Sequence, residues 1–265
     1  MTGKRRCRGL CEPRCVNSQR EHLAKTIEWA RRIRAELQPL LDAHGDRVHF
    51  RPSSEGVALV GLLPKRPQRG RSGVRNLAAL VASFEAEFKE HCLDVDHGRP
   101  TPEKALQSFL IRSAQVRHRK LEPINAASRS TSSPVELLFI TDELALPDGN
   151  SGKVVCDLLA LRVDGGRVTP AAIELKSARE MTRLIEQVAE YAAAVDAHAD
   201  LFAELFGALL GRSVVFDAPC EKWIVWPQAG ASRDPREVVL GTKGIRVVGY
   251  VPSGDNFVMR VGEAP

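Results

Sequence analysis

The chain has 265 residues, 43% of them hydrophobic, with 38 Lys/Arg against 33 Asp/Glu for a formal net charge of +5. That is core material for one large domain or two small ones, and no stretch comes near the ~20 apolar residues of a membrane span. The charge is uneven: residues 1–129 carry 25 basic and 14 acidic side chains and residues 130–265 carry 13 and 19, so one half suits a polyanion and the other a cation.

Residues 1–19 read as a basic, irregular leader with no apolar stretch behind its charges, so no secretory signal is visible. The spacing of Cys7, Cys11 and Cys15, with His22 nearby, is wider than zinc pairs usually use, and a thiol-bearing tail is the favoured reading over a metal site. Six cysteines without a disulfide framework point to the cytoplasm. From Glu21 to Ala43, Leu23, Ile27, Ala30, Ile33, Leu37 and Leu41 recur at helical steps, with Arg31, Arg32 and Arg34 outside. Short strands follow at Val48–Arg51 and Val57–Leu63, then a basic loop over Pro64–Arg75 and a helix over Asn76–Cys92. The breaker Asp96–Pro100 ends this α+β unit of residues 20–98, a candidate surface for nucleic acid or a partner.

The unit over residues 99–265 begins with Thr101-Pro102-Glu103: an N-cap, a proline at the first helical position and an acid in the first turn. That helix runs to the basic end Arg117–Lys120, and Ala126–Pro134 reads as loop. Strands are expected at Val135–Thr141, Lys153–Val163 and Val168–Lys176, the last two joined by the turn Asp164-Gly165-Gly166. Helices over Arg179–Ala199 and Leu201–Leu210 precede strands at Lys222–Trp226, Ile245–Val251 and Asn256–Val261. Trp223 and Trp226 read as packing residues.

The chemistry sits around the turn. Val154–Leu161 is apolar on both faces, so Asp157 in its middle is costly unless it is paired, hydrogen-bonded or ligated. Glu174 repeats the anomaly on the next strand, and Lys176, two residues on, shares its face. If Gly165-Gly166 is a two-residue loop, the register puts Asp157 opposite Glu174. Two such carboxylates repel unless a proton or cation lies between them.

Asp157, then Glu174-Leu175-Lys176, then Gln187-Val188-Ala189-Glu190-Tyr191 on a helix resemble the PD-(D/E)XK nuclease superfamily, and the Gln-x-x-x-Tyr element resembles its RecB-like branch. The resemblance covers residues 101–226 and departs at two places: Cys156 stands where a proline is usual, and Gly152 lies five residues upstream of the aspartate rather than three. It implies a restriction-endonuclease-like αβββαβ core, a mixed sheet flanked by helices. Asp157 and Glu174 would hold Mg²⁺ (Mn²⁺ as substitute), Lys176 would position the attacking water, and Gln187 would steady the site. Glu103 is the best fit to the acid that the family's first helix often supplies, with Glu136 the substitute if the chain near Val135 is helical.

The implied activity is Mg²⁺-dependent hydrolysis of phosphodiester bonds, DNA ahead of RNA. The other reading is a catalytically silent nuclease-fold module that binds nucleic acid or a partner protein. Arg117, Arg119, Lys120, Arg71 and Arg75 are candidate phosphate contacts. A homodimer or a helicase or ATPase partner stays open, because Gly70–Gly73 lacks the phosphate-loop lysine. No Gly-x-Ser-x-Gly elbow supports serine hydrolysis, and His91-Cys92 with Asp96-His97 reads as a polar boundary rather than a ligand cluster.

Overall fold

The computed structural model describes residues 13–64, 68–94, 101–129, 134–148, 152–181, 183–228 and 234–261. Cys7, Cys11, Asp96 and His97 fall outside them, as does the side chain of Cys15.

The first helix, α1 (Pro13–Arg32), starts earlier than the heptad-like pattern suggests, with Pro13 suited to a first turn. It continues through a π-helical turn, Ile33–Leu37, into α2 (Gln38–His44). Strands β1 (Val48–Ser53), β2 (Gly56–Gly61) and β3 (Gly70–Val74) form an antiparallel sheet in that order. β3 occupies the expected basic loop; four of its five residues are exposed, so no alternation marks it in the sequence. Gly70 is needed there, since a Cβ would lie 1.6 Å from the Leu59 carbonyl oxygen. The expected helix over Asn76–Cys92 is broken at Ser83 into α3 (Leu77–Ala82), α4 (Phe84–Phe88) and a π turn, Lys89–Leu93.

Helix α5 (Pro102–Gln115) is capped as expected, Lys104 N–H donating to Thr101 Oγ1 at 3.3 Å. It stops before Arg117, where His118 and Arg119 take positive φ. A short helix, α6 (Glu122–Ser128), replaces the start of the expected loop. Its polar residues face inward: Asn125 bonds both the N–H and the carbonyl of Leu137. They close the outer edge of the main sheet, where open backbone groups would invite another strand.

That sheet has six strands in sequence order: β4 (Glu136–Pro147), β5 (Lys153–Asp164), β6 (Arg167–Leu175), β7 (Glu221–Pro227), β8 (Ile245–Ser253) and β9 (Asn256–Val261). β6–β7 and β7–β8 are parallel and the other pairs antiparallel, so the sheet is mixed. Helices α7 (Leu184–Ala197) and α8 (Ala199–Leu210) make the crossover from β6 to β7, and α9 (Pro235–Thr242) the crossover from β7 to β8. α9 starts as α5 does, with a side-chain N-cap before a proline, here Asp234-Pro235 in place of Thr101-Pro102. The expected start of α7 at Arg179 shifts to Leu184, because Arg179 is drawn to Asp234 (3.0 Å) and lies over the Trp226 ring.

Helices cover both faces. Leu159, Leu161, Ile224 and Trp226 pack with α1, α7 and α8, while Leu158, Ala160, Ile173 and Trp223 pack with α5 and α6. Both tryptophans are buried, as expected of packing residues. Leu23, Ile27 and Ala30 of α1 belong to the first of these cores, so residues 20–98 and 99–265 share packing. Among the described residues, no helix is long and apolar enough to cross a membrane.

Candidate active site

The hairpin between β5 and β6 turns on Gly165 and Gly166, both at positive φ, as a two-residue turn of this hand requires. Its register runs from Asp164↔Arg167 to Leu158↔Ile173, the pairing expected from sequence. There the β5–β6 ladder stops, one residue short of Asp157 and Glu174, although β5 continues beside β4. In place of a backbone carbonyl, the Asp157 carboxylate accepts the Leu175 N–H at 2.8 Å. The inward alternation also breaks here: Cys156 packs with Leu159 and Leu161, whereas Leu158 packs on the other face. Asp157 is thus aimed by a local parting of the two strands.

Three further groups converge on the opening. Glu174 is only 2% exposed; Lys176 Nζ donates to its Oε2 at 3.2 Å, and its Oε1 is buried with no hydrogen-bond partner. Glu103, in the first turn of α5, accepts from the N–H (3.0 Å) and hydroxyl (3.3 Å) of Ser177, next to Lys176. The backbone of Lys176 is fixed from two sides, its N–H donating to the Val225 carbonyl and its carbonyl accepting from the Tyr250 hydroxyl.

Burial, reinforced by the Asp157 charge, pushes the Glu174 carboxyl up to about 7, with Lys176 pulling the other way. Burial disfavours the Lys176 ammonium, but Glu174 and Asp157 outweigh it and raise the Lys176 pKa. Two adjacent acceptors of this kind call for a proton or a hard cation between them. Among the described residues no group of three or more His, Cys, Asp and Glu side chains could hold a metal ion. Mg²⁺, however, is often taken by one or two carboxylates, with waters and substrate phosphates completing its octahedron. The unpartnered Glu174 Oε1 beside Asp157 fits that donor set.

Gln187 lies on the first turn of α7, exposed, with no side-chain hydrogen bond to the carboxylates; Tyr191, one turn on, is fully buried in the core. Glu136 opens β4 as a strand residue opposite Val163, far along the hairpin from Asp157, and pairs with Lys120 at 3.0 Å. Of the basic residues singled out, Arg71 pairs with Glu87 and Arg75 with Glu55. Arg119 donates to the carbonyls of Phe139 and Ile140, and burial pulls it down to about 10. Arg117 is exposed and forms no ion pair among the described residues. His91 faces Glu87, and Cys92, Cys156 and Cys220 are buried free thiols whose pKa burial raises.

A second polar cluster adjoins the site and has no counterpart in the sequence reading. Asp142 of β4 is fully buried and receives Arg51 of β1 through both carboxylate oxygens, together with His49 Nε2 at 3.0 Å. Gln107 of α5 joins the clusters, its Nε2 donating to the Asp157 carbonyl at 3.0 Å and lying 3.5 Å from Asp142 Oδ2. Next to it, Glu143 pairs with Arg51 (2.6 Å) and with Lys104. The signal that could have revealed Asp142 is the one that revealed Asp157: an acid within an apolar strand. The expected strand ended at Thr141, one residue too soon.

Comparison with family models, with curated proteins and with solved structures finds no match for this chain.

Proposed function

We propose that the protein hydrolyses phosphodiester bonds of nucleic acid, DNA ahead of RNA, in an Mg²⁺-dependent reaction on a restriction-endonuclease-like αβββαβ core. The observation that carries this reading is the buried Glu174 carboxylate, one oxygen on Lys176 and the other without a donor, beside Asp157 where β5 leaves β6. The order α5, α6, β4, β5, β6, α7, α8, β7, which is that core with α6 and α8 inserted, supports the same reading.

Asp157 and Glu174 would hold the metal, and Glu103 stands close by at the end of β6. When bound, Mg²⁺ supplies charge to the phosphate and acidifies a water. Lys176 orients that water and, as the cation of the site, stabilises charge gathering on the phosphoryl oxygens. Gln187, exposed at the start of α7, is left to meet the substrate.

The test is cutting or nicking of plasmid and single-stranded DNA with Mg²⁺ or Mn²⁺. Lys176→Ala and Asp157→Asn are each expected to lower the rate by about 10²–10³-fold. Cleavage that survives both substitutions overturns the mechanism. Metal-independent binding of DNA without any cleavage points instead to the silent nuclease-fold module.

A further inference from the structure

A cleft of about 440 Å³ lies between the small sheet and the first turn of α5. Gln68, Arg69 and Ser72 line one wall, and Thr101 and Lys104 the other. Its charged lining residues are Arg51, Arg69, Lys104 and the acid Glu143; Arg51 is divided between Glu143 and the buried Asp142, and Lys104 pairs with Glu143, so the net excess of one positive charge falls to Arg69. Arg69 is exposed and forms no ion pair among the described residues. The Gln68 side-chain nitrogen is buried with no acceptor, an uncommon state for a donor in a finished structure. An excess of positive charge and an unpartnered donor in one cleft describe the complement of an anion.

The cleft is also correctly placed. Lys104 follows Glu103, whose carboxylate reaches Ser177 beside Lys176. We propose that this cleft holds a backbone phosphate of the nucleic acid flanking the one at the carboxylates, so that β2, β3 and the residues Gln68 and Arg69 leading into β3 form part of the substrate-binding surface. Arg69 supplies the charge and Gln68 a directional donor, while Thr101 and Lys104 form the wall nearest the carboxylates. Contacts of this kind position the strand and carry no base preference. The inference rests on the nucleic-acid reading of the adjacent site.

The experiment is a binding titration of a short, fluorescently labelled DNA duplex in EDTA across a salt series, using the full chain. Arg69→Ala should weaken binding several-fold and lower the slope of log K against log salt by about one, as loss of a phosphate contact does. Arg69→Glu should weaken it further, and Gln68→Leu should weaken it with the slope unchanged. Asp157→Asn should bind at least as tightly as the wild type, because it removes a charge that repels phosphate. Unaltered affinity and slope in both Arg69 variants, with unchanged melting temperatures, overturn the cleft as a phosphate site even if the wild type cuts DNA. Conversely, Arg69-dependent binding by a protein that never cuts upholds the cleft and removes the hydrolytic reading. A wild type that neither binds nor cuts DNA overturns both.

Discussion

Two buried acids lie on the same sheet and meet opposite fates. Asp142 is enclosed by Arg51, His49 and Gln107; burial alone would raise its pKa, but Arg51 and His49 hold it below the usual carboxylate range. Glu174 has one ion-pair partner, a like-charged neighbour and an oxygen with no donor, and its carboxyl rises to about 7. The first cluster is complete without any ligand. The second is short of positive charge, and unmet need of that sort gathers at functional sites. Gln107 touches both, so the satisfied cluster serves as the mount for the unsatisfied one.

The largest effect should come from breaking the complete cluster. Arg51→Ala leaves Asp142 buried with its main countercharge gone, and a loss of about 3–5 kcal/mol is expected in urea unfolding. A loss under about 1 kcal/mol would mean the two acids do not differ as described.

A smaller change of opposite sign is expected at the other acid. Between the ordinary value of 4.5 and about 7, the folded protein keeps a proton on Glu174 that the unfolded chain has released. Its contribution to stability is therefore greatest below pH 4.5 and falls as pH rises through 7. Glu174→Gln should remove that dependence, making the variant more stable than the wild type at pH 8 by on the order of 2 kcal/mol, with the difference vanishing near pH 4. Parallel stability–pH curves for the two proteins would contradict the assignment.

The smallest effect is reserved for an exposed pair on the same sheet. Lys120 and Glu136 are each 45% exposed, and Lys120→Ala should alter stability by no more than about 0.5 kcal/mol. A larger loss would show that exposure is not what separates this pair from Arg51–Asp142.

How much of this could be read beforehand depended on the range of the interaction. The two-glycine hairpin makes register a local property, so the meeting of Asp157 and Glu174 is written within eighteen residues. Alternation then predicts a continuous ladder, and it cannot show that the ladder stops at Leu158 because a side chain takes over a backbone bond. Arg51 and Asp142 lie 91 residues apart and meet only through packing of β1 on the main sheet; no spacing rule connects them. Polarity misled at α6, where Asn125 and Ser128 are buried because they close a sheet edge, and at β3, whose exposed residues show no period.

The helical run from Pro13 to His44 has a mechanical consequence. Before the π turn its residues Leu23, Ile27 and Ala30 are anchored in the core of the large sheet; from Ile33 and Leu37 onward they are anchored in the core of the small one. One rod therefore braces both walls of the basic cleft, and its wide turn at Ile33–Leu37 sets the angle between them. Lengthening or tightening that turn by a residue would rotate one wall against the other by roughly 100°, the advance of a helix per residue. The spacing between the cleft and the Asp157 and Glu174 carboxylates is in this sense gauged by a helix that lines neither.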